Sequence, residues 1–202
     1  AAFPDGVAYA SKAFLCKEIA RIVAEYGMKI DVASGGEMHV ALAAGVHPHQ
    51  LVFHGNNKSH AELATAVELG VGMIVIDSFD EIDRLESIVS VAGVAPIPCL
   101  VRVTPGIEAH THEYIMTGQD DSKFGFGLSS GHAQIEVDRL RQSPLIDLRA
   151  IHTHIGSQIF DVNSFVKAAE VILPFILEND FREVCIGGGL GVAYVAGESA
   201  PT

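Results

Sequence analysis

The sequence predicts an α/β protein of the (β/α)8 TIM-type barrel class, with about seven of the eight βα units present. Three observations predict it. Short runs rich in Val, Ile and Leu alternate with longer stretches of helical spacing, which is the rhythm of parallel βα units. The runs are often bounded by Gly, Pro or Ser, as strands are. The polar residues of chemical interest gather just after the runs, and in a parallel barrel those carboxyl ends open on one rim. Alternation by itself leaves an open doubly wound sheet as the rival. A complete barrel takes eight units in roughly 250 residues, so an eighth strand is expected beyond Thr202.

Strands are expected at 7–10, 30–33, 51–53, 73–76, 99–103, 148–154 and 183–186. A helix over 14–26 carries Leu15, Ile19, Ile22 and Val23 on one face. The next, over 36–44, follows Ser34, a candidate N-cap. Ser59 with Glu62 opens a helix over 59–69 through a capping box, and Ser78 with Glu81 repeats that pattern for 78–89. The last helix, over 164–178, should kink or end at Pro174. Between the fifth and sixth strands the interval 104–131 is long and polar, and loops of that length are unusual unless functional.

Hydrophobic residues at 49% and charged residues at 19% argue against disorder. A formal net charge of -12 disfavours nucleic acid and anionic membrane as partners, yet leaves room for a local basic pocket that takes a phosphate. Cys16, Cys99 and Cys185 are scattered and form neither a disulfide framework nor a metal-ligand spacing. A reducing, cytoplasmic setting is expected. No apolar run reaches the length of a membrane span, and no signal peptide precedes the first strand. The chain begins at Ala1 without Met and stops in a loop. The expectation is one partial barrel domain over 1–202, cut from a longer protein.

The candidate site residues all follow strands. Lys12 follows the first, and Asp31 and Ser34 bracket the end of the second. His54, Asn56 and Asn57 follow the third, and Asp77, more simply read as a cap or loop residue, follows the fourth. Arg102 ends the fifth, His152, His154 and Ser157 end the sixth, and Gly187-Gly188-Gly189-Leu190-Gly191 follows the seventh. Successive glycines let backbone N–H groups close on an anion, and barrels bind phosphate at the loops after their last strands. A tight structural turn is the plainer alternative. Lys12, if desolvated, is a nucleophile able to form a Schiff base. A lysine together with a phosphate site suggests a phosphorylated aldehyde, and pyridoxal phosphate is the commonest such cofactor. His152 and His154 at i and i+2 would share one side of a strand. With no third ligand at a telling spacing, a metal is not expected, and an imidazole there could stack on a planar ring.

Tyr9-Ala10-Ser11-Lys12-Ala13, Asp31-Val32-Ala33-Ser34-Gly35-Gly36-Glu37, His54-Gly55-Asn56-Asn57-Lys58-Ser59, His154-Ile155-Gly156-Ser157-Gln158 and the glycine run stand in this order. Together they resemble the ornithine/diaminopimelate/arginine decarboxylase family, whose fold is of the alanine-racemase type, a barrel plus a β-domain. Thr111-His112-Glu113-Tyr114-Ile115-Met116-Thr117-Gly118 and Asp121-Ser122-Lys123-Phe124-Gly125 are similar to the long loop of the branch that acts on diaminopimelate. The resemblance implies a pyridoxal 5'-phosphate enzyme that converts meso-2,6-diaminopimelate to L-lysine and CO2, the last step of bacterial lysine biosynthesis, acting as a homodimer. It implies that Lys12 bonds the cofactor, that His154 stacks on its ring, and that Ser157 with Gly187, Gly188 and Gly189 holds the phosphate. Asp31, Glu37 and Arg102 match positions lining the cofactor pocket. The family's Glu-Pro-Gly-Arg motif, its Cys proton donor and the Arg and Tyr of its β-domain have no counterpart here, so the isolated chain is expected to be inactive. The alternatives are a family decarboxylase acting on ornithine, arginine or carboxynorspermidine, and a single-barrel protein of pyridoxal phosphate homeostasis.

Overall fold

The computed structural model describes residues 6–107 and 123–201. The loop motif at 111–118, with Asp121 and Ser122, lies outside them. The chain forms two compact units, one of Ala1–Cys99 with Ser143–Asp147, the other of Leu100–Gln142 with Leu148–Thr202.

In the first unit four strands lie parallel in chain order: β1 (Ala8–Ala10), β2 (Lys29–Val32), β3 (Leu51–Phe53) and β4 (Met73–Ile76). Helices α1 (Lys17–Glu25), α2 (Gly35–Ala43), α3 (His60–Leu69) and α4 (Phe79–Ala92) alternate with them. Ile30, Val32, Leu51, Phe53, Ile74 and Ile76 are fully covered, as strands must be when helices flank a parallel sheet. The register sets the exits side by side, with Ala10 opposite Asp31 and Asp31 opposite Val52.

The caps are local and follow the sequence. Ser34 Oγ accepts the N–H of Glu37, and Ser59 and Glu62 close a full capping box. At α4 only half of the predicted box forms. Ser78 Oγ accepts the Glu81 N–H, but the Glu81 carboxylate turns inward to other partners. The first helix starts later than predicted, at Lys17. Ser11–Ala13 forms a one-turn 3-10 helix, and Phe14 is extended and exposed. The Tyr9 hydroxyl donates to the Phe14 carbonyl at 2.7 Å, taking an acceptor that a longer helix would use.

The second unit holds most of β5 (Ile97–Thr104), β6 (Phe126–Gly127), α5 (His132–Gln142), most of β7 (Ile146–His152), α6 (Asn163–Glu178) and β8 (Glu183–Cys185). Strands β7 and β8 pair in parallel, and β6 pairs with β5. Helix α6 runs through Pro174 rather than ending there. Proline deprives the Glu170 carbonyl of its donor, but both residues are exposed and water can serve it. Ala168, Ile172 and Phe175 anchor the helix on either side.

Candidate functional site

In the first unit the candidate residues stand at the carboxyl ends of neighbouring strands. Lys12 lies in the 3-10 turn that leaves β1. The desolvation expected for it is not found. Lys12 is exposed, because Ser11 takes the inward place in that short turn. Ser11 is 2% exposed, and among the described residues its hydroxyl has no hydrogen-bond partner.

Asp31, the last residue but one of β2, is half-buried, and its Oδ1 lies 3.3 Å from His54 Nε2. The His54 main chain is itself fixed, since its backbone N–H donates to the Val32 carbonyl at 2.7 Å. The Glu37 carboxylate accepts the Ala33 N–H at 2.5 Å, bracing the same exit. Asp77 leaves β4 buried, with its N–H donating to Glu81 Oε2 at 3.3 Å. Burial pushes the Glu81 carboxyl above its ordinary value, against the pull of the Lys58 ammonium.

In the second unit Arg102 is buried in β5, its guanidinium carbon 4.4 Å from the centre of the Phe124 ring. Gly125 (φ +69°) lets that segment close on the strand, since a Cβ there would stand 2.7 Å from the Arg102 carbonyl oxygen. Strand β7 stops at His152, so the alternation expected to carry His152 and His154 to one side is broken. His152 is buried as the strand's last residue, whereas His154 is half-buried in the loop beyond it.

That loop is zipped to the glycine turn. The Ile159 N–H donates to the Gly189 carbonyl and the Gly191 N–H to the Ile159 carbonyl, each at 2.9 Å. The Gln158 amide exchanges two hydrogen bonds with the backbone of Val192. Glycine is required twice. A Cβ on Gly187 would stand 2.5 Å from the Thr153 oxygen and 3.0 Å from His154 Nδ1. One on Gly189 would stand 2.0 Å from the Gly156 oxygen and 3.3 Å from His154 Cε1. The His154 imidazole therefore lies across the turn. Among the described residues the N–H groups of Gly187, Gly188 and Gly189 donate to no protein acceptor. Space beside Gly188 is open for 4 Å. A row of uncommitted N–H groups with a planar ring beside it fits a phosphorylated aromatic cofactor.

Sequence reasoning missed the Asp31–His54 pairing, because strand register is not written in either segment. It also missed the role of Lys58, quoted only as part of a motif, whose ammonium is buried against Glu81 at 2.7 Å.

The class is given by the family comparison. Residues 2–202 match the model described as pyridoxal-dependent decarboxylase, pyridoxal binding domain, and the chain belongs to that family, whose cofactor is pyridoxal phosphate. Among curated relatives it is 45% identical to diaminopimelate decarboxylase of Mycobacterium tuberculosis, over 100% of the chain and 47% of the relative. With the enzyme of that name from Bacillus subtilis it shares 46% identity, over 93% of the chain and 44% of the relative. The chain thus spans about half the length of the curated relatives it matches. A solved structure, diaminopimelate decarboxylase from Helicobacter pylori complexed with L-lysine, superposes with a TM-score of 0.88 at 32% identity. It covers 98% of this chain and 50% of its own, and the fold is that of a TIM-type barrel domain. Among the described residues no helix is long and apolar enough to cross a membrane.

Proposed function

We propose that this chain is the cofactor-binding part of an enzyme that decarboxylates meso-2,6-diaminopimelate to L-lysine and CO2, the last step of lysine biosynthesis. The observation that carries the cofactor reading is the glycine turn, with its uncommitted N–H groups and the His154 ring laid across it. The substrate reading is supported by the 45% identity to diaminopimelate decarboxylase over the whole chain. A dimeric full-length protein working in the cytoplasm belongs to the same reading.

When bound, pyridoxal phosphate supplies a ring that takes up the electron pair left by the departing carboxylate. The residues of this chain hold and tune it. Lys12 is the residue whose Nζ would hold the cofactor aldehyde, and its exposed place beyond β1 leaves the amine accessible. The N–H groups of Gly187, Gly188 and Gly189 and the Ser157 hydroxyl would donate to the phosphate, since charge-assisted hydrogen bonds are the strong ones. His154, whose ring lies against Gly187 and Gly189, would support the cofactor ring. Asp31, oriented by His54, and the buried Arg102 complete the set of cofactor residues.

Borohydride reduction in the presence of pyridoxal phosphate, followed by peptide mass mapping, tests this directly. A dominant adduct on Lys12 is expected. Even labelling of all surface lysines on a chain folded by circular dichroism would overturn the assignment.

A further inference from the structure

Lys58 stands in the loop after β3, yet its side chain is 0% exposed. The ammonium donates to the Gly55 carbonyl at 2.6 Å, to the Val75 carbonyl at 2.7 Å and to Glu81 Oε1 at 2.7 Å. That uses all the protons an ammonium has. Both oxygens of Glu81 act as acceptors, the second from the Asp77 N–H, as an ionised carboxylate does. The Arg84 guanidinium closes the cluster by donating to the Lys58 carbonyl at 2.5 Å. One buried pair therefore ties the exit of β3, the end of β4 and the first turn of α4.

Stability alone does not call for such a pair. Desolvation of two charges offsets much of their attraction, and an apolar pair of similar volume often serves as well. What an apolar pair lacks is direction. Gly55 (φ +113°) is pinned between the exit of β2 and the lysine stem. Its Cβ position lies 3.1 Å from the Ala33 oxygen and 3.9 Å from Lys58 Cγ. The residue before it, His54, is the one that meets Asp31 at 3.3 Å.

We infer that Lys58 and Glu81 are positioning residues, a buried pair that fixes the exit of β3 so that His54 is held against Asp31. The link to catalysis rests on the proposed cofactor role of Asp31, whereas the positioning itself does not.

The test uses the 202-residue chain and the double variant Lys58→Met/Glu81→Leu, which removes both charges and strands neither. Two quantities are read, amide exchange at His54 relative to amides of α3, and the dissociation constant for pyridoxal phosphate. Exchange at His54 should quicken about tenfold or more while α3 stays protected, and cofactor affinity should fall about tenfold, the scale on which residues that orient a ligating group act. A purely structural pair would quicken both sets of amides in step, and that result, or no change at His54, overturns the inference. If the double variant fails to fold, Glu81→Gln is read in the same way. A wild-type chain that binds no pyridoxal phosphate but whose variant frees His54 would sink the cofactor reading and leave the positioning role standing.

Discussion

Lys12 and Gly189 carry the sharpest consequences at the scale of single residues. Lys12→Ala removes the amine but no buried surface, since the side chain is exposed. The variant should keep its thermal midpoint and lose the borohydride-fixed adduct at least tenfold, measured by peptide mass mapping. Gly189→Ala works differently. At φ +100° an alanine is strained, and its Cβ would stand 2.0 Å from the Gly156 oxygen. A left-handed alanine costs roughly 1–2 kcal/mol before any clash is counted. The zipped loops must separate, so pyridoxal phosphate affinity should fall about tenfold or more in an absorbance titration, with a lowered urea midpoint. A variant that binds as well as wild type would mean that the turn is structural and the phosphate sits elsewhere.

Helix starts show what a sequence can and cannot say about elements. Ser34, Ser59 and Ser78 are legible as N-caps because the partner N–H lies three residues on. The Glu81 carboxylate is not, because its partner Lys58 is 23 residues away and only the fold brings them together. Helix α5 escaped notice because its buried stripe, Ala133, Val137 and Leu140, is diluted by charge and by an exposed Ile135. Strand β6, with two residues, is too short for any periodicity. The strand-end residues were legible since each follows a recognisable apolar run, whereas their pairings depend on register. Glu62 belongs to this scale because it serves two helices. It closes the box with Ser59 and also accepts the Gly35 N–H of α2 at 2.7 Å. These hydrogen bonds hold its carboxyl below the ordinary value of 4.5. A carboxyl lowered on folding contributes stability above its unfolded value and loses it as the pH falls through the folded one. Glu62→Gln keeps the box through its one amide oxygen but loses both the charge and the acceptor for the Gly35 N–H, at a cost of about 1 kcal/mol near pH 7. That gap should narrow below pH 4.5 in urea melts, and a gap independent of pH would show that the charge is immaterial.

For the whole molecule the governing quantity is charge. The βα alternation was legible because most units carry their own local pattern, that of α5 being the exception, and the fold needs no long-range charge pairing to be read. The charge acts instead on stability, since a net -12 on 202 residues repels itself. Exposed ion pairs such as Arg84–Asp80 and Arg21 with Glu18 and Glu25 oppose this only weakly. The Lys58–Glu81 pair is buried and little screened by salt. Salt therefore removes more repulsion than attraction. Raising ionic strength from about 0.01 M to about 0.15 M shortens the screening length from roughly 30 Å to roughly 8 Å. The urea midpoint should rise over that range, by the equivalent of about 0.5–1 kcal/mol. Replacing chloride by another monovalent anion should leave the rise intact, because screening depends on ionic strength alone. A midpoint that falls with salt would mean that the surface pairs outweigh the net charge. A rise found only with phosphate or sulfate would point to anion binding, and its loss in Gly189→Ala would locate that binding at the glycine turn.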